Sequence, residues 1–159
     1  MNNNKVDYFT EKLRFIKGMP KNRKKNFKSI YVHNFQEEES KELSNHFENV
    51  KLIRTNNEFG HEYILNSLNT FDLILINNIL DGHINYDLLY SLLDIQSDNG
   101  ELWIFCNKTN KINGDFNTKE IIDICHNNDL HYYKCCTQSK LKPIDVIMIN
   151  KEKNISLFK

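Results

Sequence analysis

The chain has 159 residues and a balanced charge, with 21 Lys and Arg against 21 Asp and Glu and a pI near 7.0. This length suits one domain with a sizeable core. The neutral balance argues against nucleic acid as the main partner, because binding to phosphates needs a surplus of basic side chains. No apolar run approaches the roughly 20 residues of a membrane span, so we expect no membrane partner.

The first 27 residues differ from the rest and are predicted to form an N-terminal extension, partly helical or disordered. Residues 6–16 have the apolar spacing of a short amphipathic helix, which Gly18 and Pro20 end. Residues 21–28 then carry five basic side chains. Such a run is typical of a nuclear-import or anionic-surface patch or of a solvated linker, and we favour the linker. The globular domain is predicted to span residues 28–159.

From residue 28 onward, strand and helix patterns alternate. Short apolar strands are predicted at 28–33, 50–55 and 71–77, and helices at 37–47 and 61–68 lie between them. The third strand, FDLILIN, is apolar without interruption, which is typical of a parallel strand covered on both faces. The pattern therefore predicts successive strand and helix units.

The next unit is a leucine-rich helix at 86–95 followed by a strand at 101–106. The residues between them include Asp98, Asn99 and Gly100, a combination that is typical of a turn. We therefore predict that the helix ends in a tight turn that leads into the strand.

The last elements break the alternation. A helix is predicted at 119–128, with Asn117 and Glu120 in the positions of a capping box. Strands at 131–138 and 144–151 are too close in sequence for a helix between them, so they are predicted to pair antiparallel. The whole pattern predicts an α/β fold, a three-layer sandwich around a mainly parallel six-stranded sheet with a C-terminal antiparallel hairpin.

The phrase FDLILINNIL, a helix, and then a DNG turn into ELWIF resemble the second half of a class I S-adenosylmethionine (SAM)-dependent methyltransferase. In that family a strand that opens with "FD" is followed by a helix, a turn and an apolar strand, and an antiparallel hairpin completes the sheet. The resemblance covers roughly residues 28–153. It implies a methyltransferase-like, Rossmann-like fold.

The turn after the first strand departs from this family. Active members have a glycine-rich turn there, which lets backbone N–H groups approach the cofactor. This chain has IYVHNFQEEES instead, without a glycine. Gln36, Glu37, Glu38 and Glu39 stand where the carboxylate of the cofactor would lie, and three carboxylates would repel it. A structural explanation also holds, because acidic residues suit the first turn of a helix.

The second strand and its surroundings depart as well. Members of the family have an acidic residue at the end of this strand for the ribose hydroxyls, whereas this chain has Arg54 and Thr55. Only one helix separates this strand from FDLILIN, whereas the full family fold has a further strand and helix. These differences imply a reduced fold that lacks the wall of the adenine pocket.

A reduced, glycine-free fold of this kind resembles the N-terminal domain of anamorsin, a cytosolic iron–sulfur cluster assembly protein. The resemblance runs through KSIYVHN, NTFDLILINNIL, YDLLYSLLDIQSDNGELWIF and TKEIIDICHNNDL. It implies a monomeric, non-catalytic module that docks a diflavin reductase and is joined to a cysteine-rich, cluster-binding C-terminal segment absent from this sequence.

We therefore predict a protein that is not an enzyme and that has no catalytic residue, no cofactor-binding residue and no metal ligand in this domain. Iron–sulfur clusters are expected only in the C-terminal segment. The alternative is a small, active SAM-dependent methyltransferase.

Polar residues follow the FDLILI strand at the edge where ligands bind in open α/β sheets. Asn77 and Asn78 could hydrogen-bond a substrate, but strand-end asparagines that bond loop backbone are the favoured interpretation. His83 is the best candidate for a general base, although Asp81 and Gly82 beside it are more simply a turn. A structural role is therefore predicted for this segment.

The four cysteines, Cys106, Cys125, Cys135 and Cys136, include no C-x-x-C pair, and no apolar leader is present. A reduced compartment is expected, namely the cytoplasm, with the mitochondrial intermembrane space and the nucleus as alternatives. Adjacent Cys135 and Cys136 point to opposite faces of a strand and cannot bind one ion together.

Two further groups of residues are assigned to structure. Cys125, His126 and His131 do not have the spacing of a known metal site, and the cysteines are predicted to lie in the core or at its edge. Trp103 is predicted to be buried or half-covered by a helix, with an exposed interface position as the alternative.

Overall fold

The computed structural model describes residues 13–18, 27–33, 35–47, 51–55, 70–77, 86–107, 118–136 and 144–151. The first half contains β1 (Ser29–His33), α1 (Glu37–His46), β2 (Lys51–Thr55) and β3 (Phe71–Ile76). The second half contains α2 (Tyr86–Asp94), β4 (Gln96–Asn107), α3 (Thr118–Asn127), β5 (Tyr133–Cys136) and β6 (Ile144–Asn150). Residues 13–17 are also helical.

The six strands form one sheet in the order β2-β1-β3-β4-β6-β5. Strands β2, β1, β3 and β4 are parallel to their neighbours. Strand β6 lies between β4 and β5 and is antiparallel to both. The predicted fold class is confirmed, including the antiparallel hairpin at the C-terminal end of the sheet.

Two hydrophobic clusters cover the two faces of the sheet, as the strand alternation requires. One cluster packs Leu92 and Leu93 of α2 and Ile121 of α3 against the sheet, and we call this the α2/α3 face. The other packs Leu43 of α1 and Ile16 of the N-terminal helical turn against the opposite face, which we call the α1 face. Burial on both faces explains the uninterrupted apolar sequence of β3.

The N-terminal helical turn completes the α1 face. Ile16 is fully buried, and the ring of Phe15 meets the edge of Trp103 with centroids 5.5 Å apart. Trp103 is 2% exposed, which confirms the prediction that it belongs to the core. The helix predicted at 6–16 is thus present where the chain is described, whereas residues 6–12 and the basic segment before Phe27 lie outside the described residues.

Asp72, the aspartate of the "FD" phrase, ties three strands together at the amino end of the sheet. Its Oδ2 accepts hydrogen bonds from the backbone N–H groups of Lys28 (2.8 Å) and Ser29 (3.2 Å). Its Oδ1 accepts one from the hydroxyl of Ser97 (2.8 Å). The aspartate therefore fixes the entry into β1 and the irregular start of β4 relative to β3, and it lies at the end of the sheet opposite to the ligand-binding edge.

The turn predicted at residues 98–100 is wrong in detail, because β4 already begins at Gln96. Phe71 pairs with Gln96 and Leu73 pairs with Glu101, so an advance of two residues along β3 corresponds to an advance of five along β4. The additional residues of β4 form a bulge. A Cβ at Gly100 would lie 2.9 Å from the carbonyl oxygen of Ser97. The glycine is therefore needed for close backbone packing in the bulge.

Other boundaries agree with the prediction to within a few residues. The helix predicted at 61–68 and the capping residue Asn117 lie outside the described residues. Within the described residues, no helix is long and apolar enough to cross a membrane.

We predict that Asp72→Ala lowers the free energy of unfolding by about 1–3 kcal/mol, because three donors lose their acceptor at once. Urea denaturation measures the change. Asp98→Ala is the matched control, since Asp98 is an exposed acid in the same bulged region. Equal stability of the two variants would contradict the role given to Asp72.

Candidate functional site

The candidate site lies at the carboxyl ends of β1 and β3, the two central parallel strands. From β1 the chain passes to β2 on one side, whereas from β3 it passes to β4 on the other. In open α/β sheets this reversal opens a crevice outside the carboxyl ends, which is where ligands bind. The residues that follow these two strands are therefore the first to consider.

The pairing of β1 and β3 continues to the end of both strands. The backbone N–H of Asn77 donates a hydrogen bond to the carbonyl oxygen of His33 at 3.0 Å. Asn77 is half-buried. The backbone of Asn77 thus makes the last described hydrogen bond between β1 and β3, and the crevice lies past this bond, at the carboxyl ends of the two strands. Asn78, Asp81, Gly82 and His83 lie outside the described residues.

His33 is the residue that the sequence reasoning missed. It is fully buried at the end of β1, and its side chain projects towards the α2/α3 face with that of Tyr31. The Tyr31 hydroxyl is 3.4 Å from His33 Nδ1, and the two rings are nearly parallel, with an interplanar angle of 16°. One feature of the sequence could have indicated it: His33 is the last residue of an apolar strand, at the point where the chain leaves the sheet.

Three residues separate the end of β1 from the start of helix α1, so the N-terminus of the helix lies beside the crevice. Glu39 Oε1 accepts a hydrogen bond from the backbone N–H of Gln36 at 2.8 Å, and the N–H of Ser40 donates to the carbonyl oxygen of Gln36 at 2.9 Å. The first contact is half of a capping box. Glu39 is therefore engaged in holding the helix start.

The other two acids of this turn are directed to solvent. Glu37 forms an i,i+4 ion pair with Lys41 at 3.9 Å, and both side chains are more than two-thirds exposed, at 71% and 73%. Glu38 is exposed as well. The acidic residues do lie in the first turn of the helix, as the structural interpretation predicts. Of the three carboxylates that were predicted to repel the cofactor, that of Glu39 is hydrogen-bonded to the backbone of its own helix instead.

A second polar group lies at the same edge of the sheet, at the start of β6. Asp145 is 1% exposed and pairs in the ladder with Cys106 near the end of β4. Its Oδ2 accepts a hydrogen bond of 2.6 Å from the hydroxyl of Thr118, the first residue of α3. Lys134 Nζ lies 3.9 Å from the same oxygen. The sequence reasoning did not single out Asp145, because it stands at the start of an apolar strand.

The cysteines lie in the core or at its edge, as predicted, wherever their side chains are described. Cys106 and Cys125 are buried on the α2/α3 face, and Cys135 is half-buried against the α1 face with its Sγ 3.6 Å from Met148 Sδ. Burial raises the pKa of the Cys125 thiol from 9.0 to about 11. This thiol is therefore protonated and inert at neutral pH.

Cys125, His126 and His131 do come together, around an open depression of about 350 Å³ at the end of α3. His126 Nε2 is 2.8 Å from the hydroxyl of Tyr132. No group of three potential metal ligands with suitable geometry occurs among the described residues. The depression lies at the amino end of β5, away from the crevice, because α3 leads into that strand.

No family model and no curated protein sequence matches the chain. Solved structures do match. The plantazolicin methyltransferase BpumL in complex with SAH has a TM-score of 0.59 at 13% identity, over 93% of this chain and 86% of that one. The N-methyltransferase NodS from Bradyrhizobium japonicum has a TM-score of 0.55 at 10% identity, over 94% and 97%.

Two larger proteins share the fold. Human N-acetylserotonin methyltransferase in complex with SAM has a TM-score of 0.60 at 9% identity, over 86% of this chain. An O-methyltransferase family protein from Burkholderia thailandensis has a TM-score of 0.55 at 8% identity, over 88% of this chain. The chain spans 50% of the first and 55% of the second.

These similarities confirm the methyltransferase-like part of the predicted resemblance. They also contradict the prediction that the protein is not an enzyme, because the solved structures that share its fold are methyltransferases. The physical reason for the error is that a glycine-free, acidic turn was expected to close the cofactor site, whereas Glu37 and Glu38 point to solvent and Glu39 caps α1. The anamorsin resemblance stays a prediction.

We predict that iodoacetamide at pH 8 alkylates Cys125 roughly one hundredfold more slowly in the folded than in the urea-unfolded protein, because burial suppresses the thiolate. Peptide mass spectrometry measures the rates, and half-buried Cys135 is the internal control. Equal alkylation rates in the two states would contradict the suppressed reactivity of Cys125.

The raised pKa of Cys125 also predicts that the free energy of unfolding falls as the pH rises from 9.0 towards about 11, since unfolding then releases a proton.

Proposed function

We propose that the protein is a SAM-dependent methyltransferase that binds the methyl donor at the crevice between β1 and β3. The observation that carries this proposal is the strand order β2-β1-β3-β4-β6-β5, with β6 inserted antiparallel between β4 and β5. The fold alone does not define a function, but solved structures that share it carry SAM or SAH.

The residues beside the crevice fit the charges of this cofactor. SAM carries a sulfonium, an ammonium and one carboxylate, so its net charge is positive. The N-terminus of α1 offers the positive end of a helix dipole to the carboxylate. The exposed carboxylates of Glu37 and Glu38 suit the ammonium, and their negative charge matches the net charge of the ligand.

Each described residue at this edge has a limited task in the proposal. When bound, SAM supplies a methyl group attached to a positively charged sulfur. His33 and Asn77 hold the ends of β1 and β3 at a fixed separation through their backbone hydrogen bond. Glu39 holds the start of α1 beside the crevice through its hydrogen bond to the backbone N–H of Gln36. The protein thereby orients the donor.

We expect isothermal titration calorimetry to show SAM binding with a dissociation constant between about 1 μM and 1 mM. The double substitution Glu37→Gln, Glu38→Gln should weaken binding about two- to fivefold, the scale of exposed charge pairs. Tighter binding would support the earlier idea that these acids repel the cofactor.

Glu42→Gln is the matched control, because Glu42 is an exposed acid one turn further along α1. It should leave the affinity for SAM unchanged within about twofold. No detectable heat with SAM up to about 1 mM would contradict the proposed function.

A diflavin reductase as protein partner is a separate proposal, which comes from the anamorsin resemblance. One observation favours a docking surface on β5: among the described residues, Tyr133 is the one large hydrophobic side chain that is exposed, at 59%. Exposed tyrosines are enriched at protein interfaces. Strand β5 is also an edge strand of the sheet.

We expect Tyr133→Ser to weaken binding of a purified diflavin reductase by at least about fivefold in surface plasmon resonance, as loss of an interface aromatic does. Lys119→Ser changes an exposed residue on α3 and should have no effect. No binding by the wild-type chain would contradict the partner proposal and would leave the methyltransferase proposal intact.

A further inference from the structure

Asp145 is the one acidic side chain that is buried among the described residues. An ionised carboxylate in the interior is costly unless its oxygens are paired or hydrogen-bonded. An aliphatic residue at the start of this apolar strand would avoid that cost. The position therefore needs an explanation from its contacts.

The two oxygens of the Asp145 carboxylate differ in their hydrogen bonding. Oδ2 accepts the 2.6 Å hydrogen bond from Thr118 and lies 3.9 Å from Lys134 Nζ. Oδ1 is fully buried and has no hydrogen-bond partner among the described residues. A buried acceptor without a donor costs about 1–3 kcal/mol, and such an atom in a folded protein indicates strain, a bound water or a ligand.

The position of Asp145 favours a ligand. Because β6 is antiparallel to β4, its first residues lie at the carboxyl end of β4, on the side of the sheet where the crevice opens. Two strand spacings, about 10 Å, separate β6 from β3. A small substrate that reaches the crevice can therefore extend to Asp145.

The surrounding charges limit what this ligand can be. Lys134 and the positive end of the α3 dipole already place positive charge beside Asp145. A second cation would be repelled by Lys134 and by the start of α3. A neutral group with an O–H or N–H can supply the missing hydrogen bond without that cost. The side chain of Lys134 is 47% exposed, and its Nζ lies 3.9 Å from the carboxylate, so solvent contacts the immediate neighbour of Asp145.

We infer that Asp145 anchors the methyl-accepting substrate, with Oδ1 accepting a hydrogen bond from a hydroxyl or amide N–H group of a neutral molecule. The inference rests on the proposed methyltransferase function and names the substrate class. Asp145 is a positioning residue in this scheme, and Thr118 holds its carboxylate in place. The substrate replaces no existing contact of Oδ1, because none of the described residues occupies it.

Titration of the isotope-labelled full chain at pH 7, followed by ¹H–¹⁵N NMR, tests this with three probes. Phenol, which has a neutral donor, should shift the backbone amide signals of Asp145 and Thr118. Anisole has the same ring without a donor and should not. Benzylammonium, a cation, should bind more weakly than phenol. This comparison uses the wild-type protein and does not depend on how a variant folds.

Variants then assign the effect to the carboxylate. Asp145→Asn should bind phenol roughly tenfold more weakly, the scale of a hydrogen bond to a charged acceptor. Asp123→Asn changes an exposed acid on α3 and is the matched control. Lys134→Met should reverse the order of the probes, because the carboxylate then lacks its cation and benzylammonium gains affinity.

Three outcomes would overturn the inference: equal shifts with anisole and phenol, unchanged phenol affinity in Asp145→Asn, or no shift with any probe, which would mean that water alone satisfies Oδ1. Calorimetry with SAM is independent of these results. Phenol binding without SAM binding would contradict the proposed methyltransferase function, whereas SAM binding without a response to phenol would contradict the Asp145 inference alone.

Discussion

The pairing of β1 with β3 is the constraint on which the rest of the structure depends. Asp72 fixes its amino end through the N–H groups of Lys28 and Ser29, and the hydrogen bond from Asn77 to His33 closes its carboxyl end. Hydrophobic clusters on both faces keep water away from the ladder between these points. Water cannot replace the hydrogen bonds of backbone groups inside this layer. The register of β1 and β3 therefore cannot shift without loss of hydrogen bonds. The reversal of chain direction that forms the crevice follows from this fixed pair.

Both ends of the sheet carry polar side chains that are buried or half-buried. At the amino end, the three donors around Asp72 are matched by its two oxygens, which is the arrangement of a structural bond. At the carboxyl end, Asp145 keeps a buried oxygen without a donor. Gln96 Oε1, at the amino end, is likewise buried without a hydrogen-bond partner among the described residues, although Gln96 Nε2 donates to the carbonyl oxygen of Ile149. Asp145 differs from Gln96 in its location, because it lies at the carboxyl end of β4, on the side of the sheet where the topology defines the crevice.

The acidic turn after β1 shows how charge in a sequence can mislead. Three consecutive glutamates predict a strong local negative charge, but the effect of each depends on where its side chain points. In a helix, successive side chains project about 100° apart, so Glu39 folds back to the cap while Glu37 pairs with Lys41 in the solvent. The sequence contained the capping pattern of Gln36 and Glu39. Its meaning depends on the local backbone, which a charge count does not describe.

Apolar periodicity in the sequence was sufficient to predict the fold class, the six strands, and the antiparallel hairpin, because burial on one or both faces imposes that periodicity directly. Trp103 and the cysteines followed from the same rule. The candidate site could not be predicted in this way, because His33 and Asp145 stand at the ends of apolar strands that are far apart in sequence. Only the strand order brings the ends of β1, β3, β4 and β6 to one edge, and only packing of α3 sets Thr118 against Asp145. Long-range pairing and the direction of each side chain decide these contacts, and neither has a local signature in the chain.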